Sequence, residues 1–298
     1  MKQIFAMVRR NVKLYFRDKG LFFVSLITPL ILLVLYSTFL AKVYRESFAA
    51  SIPAGVSITQ ELLNAVVGGQ LVSSLLAVSC VTVAFCSNTL MVQDKVNGAR
   101  GDLLLSPIRR SAVAISYFAA CVLSTLIVNL VAMGLCFAYL AATGWYLSLA
   151  DALLLTGDVV LLTLFGVALS SCVHFFLNSQ SQVSAVGTIV SAGYGLLCGA
   201  YMPIASFSAG LQHILMFLPG TYGTSLLRNH ALAGAFREMQ RIGFPADILS
   251  QIRDSIDCNL YFFDKPVSQG GMYAVLGGAI LLCVGVYILC NDLHKKEN

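Results

Sequence analysis

Five long intervals of this chain carry no charged residue, and their length decides its fold class. Lys19 to Lys42, Glu61 to Asp94, Arg110 to Asp151, Asp158 to Arg228 and Lys265 to Asp292 each enclose no Asp, Glu, Lys or Arg. An α-helix rising ~1.5 Å per residue needs about 20 apolar residues to cross a hydrocarbon core ~30 Å thick. Every interval has that room. The first, second and last hold one span apiece, residues 114–140 and 153–176 supply two more, and residues 183–202 a further one, which makes six. With 58% hydrophobic and 11% charged residues, the chain has too little polar surface for a free-standing soluble enzyme or a nucleic-acid-binding face. The expected fold is an all-α integral membrane protein, one domain over residues 1–298.

Two stretches fit no span. Residues 203–227 contain LQHILMFL followed at once by Pro219 and Gly220, and eight helical residues reach only ~12 Å. A re-entrant or surface-lying pair of short helices is expected there, within an external segment 203–270. Further on, FPADILSQIRDSID places Ile248, Leu249, Ile252 and Ile256 at helical spacing behind Pro245, which reads as a short amphipathic helix. The other stretch is residues 1–19. Ile4, Phe5, Val8, Val12, Tyr15 and Phe16 alternate there with Arg9, Arg10, Lys13 and Arg17, as in a helix lying in the headgroup layer; a solvated basic leader is the plainer alternative. The apolar run 21–41 exceeds the roughly 7–15 residues of a signal-peptide core and reads as a true first span. Basic residues set the orientation. Lys2 to Lys19, then Lys95, Arg100, Arg109 and Arg110, then Lys295 and Lys296 fall on one side, so both termini are expected in the cytoplasm.

Several chemistries are excluded. No Gly-Lys dipeptide occurs, so the chain lacks the phosphate-cradling loop of an ATPase. It has no H-E-x-x-H and no G-x-S-x-G, its four histidines are scattered, and none of its nine cysteines forms a C-x-x-C pair. No metal site is expected. Cys258 is the one cysteine placed well outside the membrane, and the others read as packing residues. A lipid-modifying membrane enzyme lacks a nucleophile–base pair here. Asp158 is the only acid placed within a span, which excludes an aspartyl dyad. It is either a polar group on a transport path, as an ATP-independent secondary transporter would need, or a residue paired inside the bundle. Ser191, Gly195 and Gly199 recur every four residues, a pattern for close helix packing within one chain or across a dimer.

Three local motifs, in order and in the topological places just derived, give the chain a family resemblance. YFRDKGLFFVSLITPLILLVLY carries Arg17, Asp18 and Pro29 at the entry to the first span; VQDKVNGARGDLLLSPIRR, over 92–110, carries Gly101, Leu104, Leu105, Ser106, Pro107 and Arg110; FLPGTYGTSLLRNHALAG carries Pro219, Thr221, Tyr222, Leu227 and Arg228. Together they resemble the permeases of type-two ABC exporters, whose cargoes include drugs, lipids and polysaccharides. Residues 235–270 are longer than in the shortest members, and DKVNGAR stands where the family carries an acidic position.

The resemblance implies a non-catalytic permease in a plasma membrane, such as a bacterial cytoplasmic membrane. A second permease copy and a separate ATP-binding-cassette ATPase that binds the ATP and magnesium would be its partners. It implies a cytoplasmic coupling helix in 92–110, with Arg100, Asp102, Arg109 and Arg110 orienting the ATPase and Leu103, Leu104, Leu105 and Pro107 filling or anchoring the contact. Pro219, Tyr222 and Arg228 become candidates for an outer gate, and Arg17 and Asp18 belong to the interfacial helix. The expected cargo is amphiphilic, a drug, a lipid or a small peptide-like product, with a polysaccharide or lipid-linked glycan as the alternative.

Overall fold

A computed structural model describes residues 2–50, 58–105 and 108–293 of the chain. Pro107, Lys295 and Lys296 lie outside the described residues. Helix α1 (Lys2–Arg17) ends where Asp18 turns extended and N-caps α2 (Lys19–Leu35), its carboxylate accepting from the Leu21 N–H at 3.1 Å. An elbow thus separates the amphipathic helix from the first span, and the Tyr15 hydroxyl donates across it to Ser25 Oγ at 2.7 Å. The face of α1 that the protein covers is Met7, Asn11 and Tyr15, laid against α7 (Arg110–Thr143), while Phe5 stays exposed. Past Leu35 the chain runs through one π-helical turn, Tyr36–Leu40, into α3 (Ala41–Ala50).

Helix α4 (Gln60–Ser87) is the axis of the bundle. It is buried along almost its whole length by α2, α7, α8 (Leu149–Phe176), α9 (Gln180–Leu197) and α11 (Pro219–Arg241). Its hydrophobicity is therefore spread all round, as a helix with no solvent face requires. Polar residues in the interior are cross-linked between helices. Ser79 donates to Asn129 Oδ1 at 2.8 Å, and Asn129 donates to Thr163 at 2.9 Å, tying α4, α7 and α8. Beyond Ser87, Asn88 bonds Ser170 and Ser171 and the chain continues as α5 (Thr89–Val96), turns at Asn97-Gly98, and forms α6 (Ala99–Leu105). Gly98 takes φ +80°, the left-handed region that the Asn-Gly signal anticipates.

Among the described residues, five segments are long and apolar enough to cross a membrane: Lys19–Phe39, Gln60–Val96, Arg110–Thr143, Leu149–Phe176 and Gln269–Asp292. The last lies in α13 (Gln269–Leu293). A sixth span is expected at 183–202, where α9 lies. Its 18 residues reach about 27 Å, and Gln180, Gln182 and Ser184 keep its apolar content below that of the five.

The largest departure from the sequence reading is in 203–270. Helices α10 (Ala209–Leu215) and α12 (Ala246–Ser255) are short, as expected, but α11 has 23 residues and lies inside the bundle against α4, α8 and α13. Pro219 starts it at the first helical position, and nothing stops it before Gly243, at φ +89°. Its threonines, Arg228 and His230 make it look like a loop in sequence; in space they are partnered. A two-stranded hairpin, β1 (Tyr261–Phe262) with β2 (Lys265–Pro266), leads into α13.

Cys258, expected outside the membrane, is buried within the protein, 2% exposed in the apolar cluster that joins α11 and α12. Burial pushes its thiol up to about 12. A membrane-impermeant maleimide should leave the Cys258 peptide unlabelled in the native protein and label it after denaturation, as read by peptide mass mapping; native labelling would contradict this packing.

Candidate functional site

The cytoplasmic candidate is the α5–α6 elbow. Arg10 of α1 reaches Asp94 of α5 with Nη1 at 2.5 Å from Oδ2 and Nη2 at 3.3 Å from Oδ1, and the Tyr117 hydroxyl of α7 donates to the same carboxylate at 2.6 Å. The Asp94 carboxylate raises the Arg10 pKa further above its ordinary value. Lys95 donates to the carbonyls of Phe175 and Leu177, each at 2.8 Å, and so caps the end of α8. Arg100 of α6 donates to Asn291 Oδ1 of α13 at 3.0 Å. One short elbow is thereby fastened to four helices.

The three leucines of α6 separate in space. Leu103 and Leu104 are partly buried against the cluster of Met7, Met91, Tyr117, Phe175 and Tyr287. Leu105 is 87% exposed. Asp102 and Arg109 are exposed and Arg110, which opens α7, is half-buried. Arg17 and Asp18 are exposed at the α1–α2 elbow. In sequence Asp94 stands at the edge of a charge-free interval and opens the DKVNGAR stretch, and Arg10 belongs to a basic face; nothing there pairs the two. The available signal is an acid one turn before the Asn-Gly turn, at the end of an apolar run, opposite a helix rich in arginine.

The second candidate is a set of buried charges around α11. Arg228 is 1% exposed; its guanidinium donates to the Ile256 carbonyl at 2.6 Å, the Gly199 carbonyl at 2.9 Å, Asp257 Oδ2 at 3.2 Å and Ser74 Oγ of α4 at 3.3 Å. Asp257 also accepts from the backbone N–H groups of Ile204 at 2.6 Å and Ala205 at 3.1 Å. Burial pushes its carboxyl up from the usual range, while Arg228 and these amides pull it down. Asp158 is 2% exposed and paired inside the bundle. It accepts from the Tyr273 hydroxyl at 2.6 Å and lies 2.5 Å from His230 Nδ1, joining α8, α11 and α13. Outside this buried set, exposed Arg237 of α11 grips buried Asp151 at the start of α8, with Nη1 to Oδ1 at 2.9 Å. Pro219 begins α11, and two hydroxyls lock the corner before it: Tyr222 donates to the Met216 carbonyl at 2.7 Å, Thr221 to that of Leu215 at 3.0 Å.

The Ser191–Gly195–Gly199 stripe is used within the chain. A Cβ on Gly195 would fall 2.4 Å from the Tyr201 ring, and Gly199 takes φ +75° at the turn that meets Arg228. Between α2, α4, α5 and α9 lies an open cleft of about 820 Å³. Thr82, Thr89, Gln93, Ser184 and Thr188 line it beside Val83, Phe85 and Val183. The sequence reading does not locate this cleft, because its polar residues come from four separate segments.

The family model described as ABC-2 type transporter matches residues 2–231. The match takes in every element from α1 to the middle of α11 and leaves α12, the hairpin and α13 outside it. No curated protein matches the chain.

Arg228→Met should cost about 3–5 kcal/mol of stability, since it leaves Asp257 buried without its counter-charge. Arg228→Met with Asp257→Asn should recover part of the loss. Denaturant unfolding of the purified protein reads both, and a single variant as stable as the parent would show that the pair contributes nothing.

Proposed function

Because the chain belongs to the ABC-2 type transporter family, we propose that it is the permease subunit of an ATP-driven exporter, powered by a separate ATP-binding-cassette subunit and moving an amphiphilic cargo outward. Membership makes it a membrane transport component of the ABC type. The finer reading rests on the α5–α6 elbow. Leu105 stands 87% exposed on α6, at the end of an elbow that Asp94, Lys95 and Arg100 fasten to the bundle, and this position supports its reading as a contact for a partner. Arg100, Asp102, Arg109 and Arg110 surround it with charge that would fix the angle of approach. Leu103 and Leu104 anchor the elbow from below. Closure of the ATPase pair would push α6, and the Asp94, Lys95 and Asn291 links would pass that displacement to α1, α8 and α13 as rigid bodies.

The cleft between α2 and α9 supports an amphiphilic cargo, because hydroxyls and amides alternate there with Val and Phe. A second copy of the chain is the proposed other wall. Apolar residues stand exposed along α2, Phe23, Ile27 and Val34 among them. The same row of hydroxyls favours a polysaccharide or lipid-linked glycan as the second reading of the cargo. The locked corner at Pro219 and Tyr222, with Arg228 behind it, is the proposed outer gate, moving as one body. Asp158, held by His230 and Tyr273, has a structural place rather than one on the path.

Leu105→Asp should abolish co-purification of the ATPase subunit while leaving thermal stability unchanged; Leu103→Asp should lower stability itself, by about 2 kcal/mol or more for a charge placed in an apolar cluster. Retained ATPase with Leu105→Asp would remove the coupling assignment. Asp158→Asn should keep export of an amphiphilic dye from cells within about twofold of the parent, an effect worth under 0.5 kcal/mol. Loss of export in a stably folded Asp158→Asn protein would instead favour an ATP-independent, proton-coupled carrier.

A further inference from the structure

A second cavity, of about 490 Å³, lies on the opposite side of α9 from the cleft, between α4, α8, α9, the start of α11 and α13. Its size falls in the roughly 300–1,000 Å³ of small-molecule sites. Phe85, Leu169, Ile189, Tyr194, Gly220 and Leu282 are among its walls, and the lining is almost entirely apolar. Its mouth opens between α9 and α13. On both lips stand exposed apolar residues, Ile189 at 69% and Leu282 at 67%. Since α13 holds a segment long and apolar enough to cross the membrane, with Leu282 in its middle, this mouth faces hydrocarbon rather than water. The molecule available to fill it from there is a lipid.

The one hydroxyl in the lining narrows the choice. Tyr194 sits one turn from the end of α9, and among the described residues its buried Oη has no oxygen or nitrogen partner, only the Cys198 thiol beside it. It packs at the wall beside Gly220, where a Cβ would fall 2.5 Å from Oη. Gly220 belongs to the first turn of α11, whose start has no side-chain cap. A buried hydroxyl with only a weak sulfur neighbour, at the wall formed by the first turn of α11, favours an oxygen acceptor at that end. From it the cavity runs along the apolar helices toward Phe85, Leu169 and Cys283. The arrangement matches a molecule with one polar oxygen end and a long apolar body.

We propose that this cavity is a lipid site that takes one fatty-acyl chain of a membrane lipid, the carboxyl or ester oxygen lying at the Tyr194 end and the chain along the groove between α9 and α13. The site is separate from the cleft between α2 and α9, and it does not depend on how the chain couples to ATP. Bound lipid would splint α9 to α13, two helices with few direct links to each other.

The test uses the full-length protein purified in detergent, without any ATPase, and a palmitic acid bearing a photoactivatable diazirine as the probe. Adducts should concentrate on the peptides holding Ile189–Leu197 and Ala279–Cys283, and excess unlabelled palmitate should compete them. Gly193 lines the cavity, and a Cβ there meets nothing within 4 Å, so Gly193→Leu should fill the space without a clash. It should cut these adducts at least tenfold with the thermal transition unchanged. Tyr194→Phe should weaken competition about fivefold, the scale of one net hydrogen bond. Adducts spread evenly over the exposed faces of α2 and α7, or adducts on α9 and α13 that Gly193→Leu leaves intact, would overturn the site. Unchanged competition in Tyr194→Phe would overturn the placement of the oxygen end.

Discussion

The bundle depends on α11 having its polar groups paired inside the protein. A helix carrying Arg228, His230 and several hydroxyls cannot lie among α4, α8 and α13 unless each group finds a partner, because an unpaired charge in low-dielectric surroundings costs far more than packing returns. Arg228 finds three carbonyl or hydroxyl oxygens and a carboxylate, and His230 finds Asp158; nearer the end of the helix, exposed Arg237 pairs with Asp151. These pairs are spaced along α11 and reach α4, α8 and the loop after α12. They fix the register of the central helix against its neighbours, which apolar contacts alone leave free to slide.

That register matters at the other end of the molecule. Ser74, which meets Arg228, and Asp94, which meets Arg10, belong to one nearly continuous rod of α4 and α5, 37 residues long from Gln60 to Val96. The buried polar cluster near α12 and the braced elbow at α6 are thus joined by a single stiff element. Displacement at the elbow has a direct mechanical route to the corner at Pro219 and Tyr222, and both sides of the rod carry cavities, one mixed and one apolar. On this account the cleft serves the cargo and the apolar cavity serves the surrounding lipid.

Much of this was legible in the residues. Charge-free intervals located the five long apolar helices, Asp18 marked the α1–α2 elbow, Asn97-Gly98 marked the turn before α6, and the spacing of Leu249, Ile252 and Ile256 marked α12. What escaped has a common cause. Polarity in a sequence resembles exposure, so residues 203–227 read as a pair of short helices, whereas Pro219 opens one long helix buried in the bundle. Pairings such as Arg10 with Asp94 and Asp158 with His230 and Tyr273 link residues 84, 72 and 115 positions apart, and no local pattern announces them. In sequence Leu103 to Leu105 form one apolar triplet; helical geometry turns Leu103 and Leu104 inward and leaves Leu105 outside.

The central claim is that the α5–α6 elbow is where this permease receives force from an ATPase. Its most direct test is photo-crosslinking in native membranes from a benzophenone amino acid placed at position 105, with position 5 as a control on the exposed face of α1. The account predicts an adduct with an ATP-binding-cassette subunit from position 105 and lipid adducts alone from position 5. Lipid adducts alone from both positions would contradict it.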